Sequence, residues 1–195
     1  MITNKFFNAI ALAVTLLLLA SCGQEVVETG DNFEVIELPD GSLVYLNRNS
    51  AVEYESDFVV RTVTLRGEAF FDVEDGDTPF VVQTGLGNVL VMGTEFDVKA
   101  EFDELTVEVE KGVVEVKSEL DSKKLRKGDA AIFKKTGDGF TVGKAEFKFK
   151  IWMKELSREF KKLGKEIKRS TKSVQKDTKK AGKELKKELK KLKLD

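Results

Sequence analysis

Between Phe33 and Gly143 apolar and polar residues alternate with a period of two, the pattern of strands with one buried face. In Arg61–Arg66, Val63 and Leu65 fall on one side and Thr62, Thr64 and Arg66 on the other. Leu105, Val107 and Val109 form a second apolar face, and Val114 and Val116 oppose Glu115 and Lys117. Phe80-Val81-Val82 and Val89-Leu90-Val91-Met92 are continuously apolar and predict strands buried on both faces. Glycine-bearing turns such as Pro39-Asp40-Gly41-Ser42, Lys111-Gly112 and Lys127-Gly128-Asp129 separate these segments. No helical period appears before residue 145. The pattern predicts a mainly β domain over residues 33–143, a sandwich, roll or solenoid of about ten short strands, long enough to bury one core.

The period changes at Ala145. Apolar positions recur at Trp152, Leu156, Phe160, Leu163 and Ile167 and continue to Leu192, with a mean step of 3.6 residues from Leu156 to Leu192. Residues 144–195 therefore read as one long amphipathic helix, roughly 65–70 Å if continuous. Its stripe is weakest between Ser170 and Ala181, where threonines replace large apolar side chains.

A third pattern lies at the N-terminus. An apolar run from Ala9 to Ala20, with Thr15 its one polar residue, is too short for the ~20 residues of a membrane-spanning helix and fits the core of a signal peptide. It ends in Leu19-Ala20-Ser21-Cys22, two small residues before the chain's single cysteine. That order suits a lipoprotein signal peptidase, with a signal peptide over 1–21 and a lipid on the Cys22 thiol. Residues 22–32 then read as a lipidated N-terminus and polar linker, and the remainder of the chain lies on the extracytoplasmic side of a bacterial membrane. Gly23 and Gln24, which lack an Asp, favour the outer membrane.

Charge sharpens the division. Ala145–Asp195 carries 19 basic and 8 acidic side chains against 14 and 26 in the rest, so a net charge of −1 conceals parts near +11 and −12. Such asymmetry implies different partners for the two parts, or that the parts meet each other. The chain has no histidine, which removes the commonest general base and metal ligand and every Ser-His or Cys-His pair. With Cys22 lipidated no thiolate remains, and no phosphate-binding loop or calcium loop is present. Neither enzymatic activity, a cofactor nor a metal is expected. Nucleic acid is not expected either, because the chain leaves the cytoplasm. The oligomeric state is left open.

Several ordered motifs resemble the FecR family, in its extracytoplasmic domain. Leu38-Pro39-Asp40-Gly41-Ser42, followed by Leu46-Asn47 and Ser50, is similar to the family's opening motif. Leu65-Arg66-Gly67-Glu68-Ala69-Phe70-Phe71-Asp72-Val73 resembles its GEA-aromatic signature, and Gly93-Thr94-Glu95-Phe96-Asp97-Val98 its GT-x-F motif. Gly112-Val113-Val114-Glu115-Val116 and Leu125-Arg126-Lys127-Gly128-Asp129 complete the order. The resemblance implies a β-rich, partly solenoid-like fold. It also implies a role in relaying the state of a TonB-dependent outer-membrane transporter to an extracytoplasmic-function sigma factor. Typical members place a cytoplasmic sigma-factor-binding part and one transmembrane helix before this domain. Here a lipoprotein signal stands in that place, so the extracytoplasmic sensing or protein-contact module is what is expected to carry over.

The motif residues are expected to be mostly structural. Asp40, Gly41, Gly67, Gly93, Gly112 and Gly128 have the types that turns and bulges demand, and Phe70 and Phe96 belong in a core. Asp72 and Thr94 share the motifs. Glu68 either caps donors within the fold or faces a partner. The helix has three readings: it lies on an anionic membrane with flanking lysines at the lipid headgroups, it docks on an envelope protein, or it packs on its own acidic domain. The expected function is a sensor or adaptor lipoprotein working through protein contacts. The alternative is a structural envelope protein whose basic helix coats an anionic membrane surface.

Overall fold

The computed structural model describes residues 23–166. Thirteen strands are present among them: β1 (Gln24–Glu28), β2 (Glu34–Glu37), β3 (Leu43–Leu46), β4 (Ala51–Glu55), β5 (Thr62–Val73), β6 (Phe80–Thr84), β7 (Gly87–Val91), β8 (Thr94–Ala100), β9 (Glu104–Lys111), β10 (Val113–Lys117), β11 (Ser122–Arg126), β12 (Asp129–Lys134) and β13 (Phe140–Lys144). One helix, α1, comes after them over residues 149–166. The chain divides into two units after Phe149, the first holding every strand and the second beginning at Lys150.

The long strand β5 organises the first unit. Its N-terminal half lies between β4 and β6, within a sheet ordered β1-β4-β5-β6-β7-β10-β11. Its C-terminal half lies between β3 and β8, within a second sheet ordered β2-β3-β5-β8-β9-β12-β13. The pairings are antiparallel except β5 with β6, which runs parallel in the register Val63↔Val82. The two sheets, joined through β5, nearly close on themselves. They enclose one core, to which β5 contributes every odd residue but glycine: Val63, Leu65, Ala69, Phe71 and Val73. Phe71 stacks on Phe96 at 5.2 Å and meets Phe80 edge-on at 6.1 Å. Each of these fully buried rings contributes roughly 1.5–3 kcal/mol over an exposed position.

The mainly β architecture agrees with the alternation, and Leu105, Val107, Val109, Val114 and Val116 are all fully buried. Two details differ. The segment that reads as a linker contains β1, whose five residues pair with β4 in the register Gln24↔Glu55 to Glu28↔Ala51. It escapes the pattern because an edge strand with one neighbour keeps four of its five side chains exposed. The apolar runs of β6 and β7 are not buried on both faces. Val82, Val89 and Val91 point inward, Val81 and Leu90 are half-buried, and Met92 is exposed.

Candidate partner-contact site

The first motif builds a corner. Between β2 and β3 the turn closes through Leu38 N–H to Ser42 O at 2.9 Å, with Gly41 at φ +86°. Asp40 accepts from Ser42 N–H and from Ser42 Oγ, both at 3.0 Å, and binds Arg61 Nε at 2.8 Å. Arg61 is buried, and donates Nη1 to Thr78 O at 3.0 Å and Nη2 to Glu74 O at 2.7 Å. One guanidinium thus ties the β2–β3 turn to the loop after β5, and Ser42 Oγ accepts Glu74 N–H at 3.1 Å to complete the tie.

The second motif lets two strands approach. Gly67 sits at φ +89°, and a Cβ there would overlap Ser50 Oγ and come within 2.8 Å of Ser50 Cα. The space that glycine leaves lets Ser50 Oγ accept the Glu68 N–H at 2.9 Å. Asn47 then donates its backbone N–H to Glu68 O at 2.9 Å and its Nδ2 to Glu68 Oε2 at 3.0 Å. The Glu68 carboxylate therefore braces the turn between β3 and β4.

The third motif shapes a groove. β7 and β10 pair from Lys117↔Asn88 to Glu115↔Leu90, and their pairing ends there. Past that point the two strands open a groove of about 440 Å³ walled by Pro79, Leu90, Met92, Gly93 and Val113. Thr94, itself buried, donates Oγ1 to Val113 O at 3.3 Å and fixes one wall. Asp75 lies so close over Gly93 that any Cβ would overlap its carboxylate, and a Cβ on Gly112 would stand 3.0 Å from Gly93 O. Met92 is 48% exposed and Val113 42%, while Asp75, Glu115 and Lys124 give the rim its polar groups. A flexible thioether beside a branched aliphatic wall can take an apolar side chain of a partner. The lining offers no nucleophile paired to a base.

The remaining motif residues are dispersed. Phe96 is in the core and Asp72 is exposed. Gly128, at φ +85°, closes the β11–β12 turn and donates its N–H to Val109 O at 2.8 Å. Phe70 is buried on the opposite side of β5 from Phe71, beneath Phe149, which stacks on it at 4.8 Å and 24°. In α1, Trp152 and Leu156 are buried, and Phe160 and Leu163 are 52% and 53% exposed. Cys22 and Ile167 lie outside the described residues. Among those residues no helix is long and apolar enough to cross a membrane.

Alternation does not single out Asp97. On β8 it faces away from the core, opposite Phe70 on β5 and Glu108 on β9. The segment after β13 nevertheless covers this face, because Glu108 Oε1 accepts the N–H groups of Glu146 at 2.7 Å and Phe147 at 3.0 Å. Asp97 is buried and its Oδ1 has no hydrogen-bond partner. Burial pushes its carboxyl well above the usual range, the charges of Glu68 and Glu108 add to the rise, and Lys99 opposes them.

Comparison with known proteins bears on the β unit. No curated protein matches the chain. Two crystal structures of a candidate anti-sigma factor from Parabacteroides distasonis ATCC 8503 are similar to it. The 2.50 Å structure is 29% identical with a TM-score of 0.60, over 63% of this chain and 60% of that one. The 1.65 Å structure is 29% identical with a TM-score of 0.62, over 66% and 64%. The chain thus spans 60% and 64% of the length of these two structures. The model of the family described as FecR protein matches residues 25–115, from β1 into β10. The match to the FecR family thus falls within the β unit of this chain.

Proposed function

We propose that this protein is a non-catalytic, lipid-anchored envelope protein whose FecR domain senses or relays a signal through protein contacts. The lipid sits on Cys22, on the extracytoplasmic side of a bacterial membrane. The relay feeds sigma-factor regulation, in keeping with the family and with the candidate anti-sigma factor that the domain resembles. The observation that carries the reading is the groove. The family's Gly93-Thr94 and Gly112 converge on exposed Met92 and Val113, an apolar contact surface without catalytic groups. A photo-crosslinker at position 92 in cells tests it. One identified envelope protein should be trapped, the adduct should disappear when Val113→Lys is added, and transcripts of one sigma-factor regulon should change with Val113→Lys. An unchanged regulon together with no adduct would sink the proposal.

A second reading concerns α1, where Phe160 and Leu163 are half exposed on a strongly basic segment. Here the protein is structural, and its helix binds anionic lipid. Co-sedimentation of residues 23–195 and 23–144 with neutral and anionic vesicles separates the readings. Binding by the longer form alone, to anionic vesicles alone and weakening with salt, favours the second.

A further inference from the structure

We infer that the cavity floored by Asp97, on the outer face of the second sheet, is a recognition pocket for the guanidinium group of an arginine side chain on a partner protein. The inference rests on the reading that this domain works through protein contacts.

Five carboxylates line the cavity, and four are already engaged, Glu146 by Lys148 at its mouth. Glu68 accepts from Asn47, Glu104 from Thr106 Oγ1 and Lys134, and Glu108 from two backbone N–H groups. Asp97 is the deepest of them and has no donor on Oδ1. A buried acceptor left without a donor is costly, so a donor brought to it is strongly favoured. The lysines at the mouth do not supply one. Lys99 pairs with Glu101 at 2.7 Å, Lys144 with Asp129 at 2.9 Å and Lys148 with Glu146 at 2.8 Å.

Size and walls narrow the ligand. The cavity is about 200 Å³, with Ala130, Ile132 and Phe149 forming an apolar side. That volume admits the head and part of the stem of one side chain. Among the described residues no three carboxylates stand close enough together to hold a metal ion. A guanidinium fits the remaining demand. It is planar, carries five donors, is more weakly hydrated than an ammonium, and can bridge Asp97 and Glu108, which face each other in register. The arginine stem then lies along Ile132 and Phe149.

In the free protein burial and the flanking carboxylates favour the protonated form of Asp97. Binding a guanidinium favours the charged form. The proton leaves Asp97 for solvent, and the ion pair forms in its place. Affinity therefore rises with pH until Asp97 is ionised in the free protein.

The test is calorimetry of the full chain with N-butylguanidinium, from pH 5 to pH 8.5, in two buffers of different protonation enthalpy. One saturable site is expected, at least tenfold tighter at pH 8.5 than at pH 5, with proton release at the lower pH. Asp97→Asn should weaken it at least tenfold and abolish the release. Ile132→Trp, on the exposed wall, should block the pocket without altering a carboxylate, and it decides the matter if Asp97→Asn does not fold. Met92→Lys, in the separate groove, should leave probe binding unchanged. Absence of saturable binding, equal binding by Asp97→Asn, or equal binding of butyltrimethylammonium, which has no N–H donor, overturns the inference. None of these results depends on whether position 92 crosslinks, so the pocket and the groove fail separately.

Discussion

Replacing Arg61 with methionine removes a buried charge while keeping most of the side-chain volume. Three acceptors lose a donor: Asp40 Oδ2, Glu74 O and Thr78 O. Asp40 keeps the two donors of Ser42, so its loss is partial. The two carbonyls hold the loop between β5 and β6, and Gly76 packs directly on the guanidinium. The cation also sits 5.7 Å from the centroid of the Phe80 ring, a small further contribution. Breaking a buried ion pair from one side costs about 3–5 kcal/mol, because the partners stay behind unpaired. For a domain of this size each kcal/mol shifts the midpoint by about 2–4 °C, so Arg61→Met should melt roughly 6–20 °C lower. The assay is urea denaturation of the wild type, Arg61→Met, Asp40→Asn and the double variant. The cycle should give a coupling of about 1–3 kcal/mol between the two residues, since they share one network. A loss below about 1 kcal/mol for Arg61→Met, or strict additivity in the cycle, would refute the assignment of the corner as the anchor of this loop.

Other parts of the structure carry three further expected outcomes. Gly67 and Gly128 have nearly equal positive φ, yet a Cβ meets Ser50 at the first and nothing within 4 Å at the second. In denaturation, Gly128→Ala should lose the ~1–2 kcal/mol of left-handed strain alone, and Gly67→Ala clearly more. Asp97 has a raised carboxyl, so its contribution is most favourable at low pH and is lost as pH climbs from the unfolded value near ~3.9 to the folded one. Asp97→Asn should therefore gain stability relative to wild type as pH rises through that window, and the gain should vanish below it. Equal pH profiles from thermal melts would contradict the burial argument. Val113→Lys lies on an exposed wall and should change stability by no more than about 0.5 kcal/mol in urea denaturation, while abolishing the crosslink from position 92.

The inward residues of β5, β9 and β10 are legible in the sequence because one face of each strand is buried, and a period of two records that directly. The covering of the other face is not legible. Phe70 and Phe71 look alike in the sequence, but Phe71 is buried in the core and Phe70 under Phe149, far along the chain. Asp97 reads as an outward polar residue on a strand, and its burial comes from the segment that Glu108 holds after β13. Met92 continues an apolar run and so reads as buried. It is exposed because β7 and β10 part company beside it, a feature of strand pairing rather than of hydrophobicity. The motif glycines read as backbone formers by residue type, and Gly41, Gly67 and Gly128 have positive φ. Their neighbours show more, since Ser50 against Gly67 and Asp75 against Gly93 are contacts that residue type alone does not name.

A strand that belongs to two sheets leaves no seam between them. Separating the sheets would require β5 to give up its neighbours on one half while keeping them on the other, in the middle of a single core. The β unit should accordingly exchange its central amide protons only through global unfolding, without a half-open intermediate. A stimulus received at one edge of the β unit is then passed on by the movement of an unyielding body, not by one sheet sliding on the other.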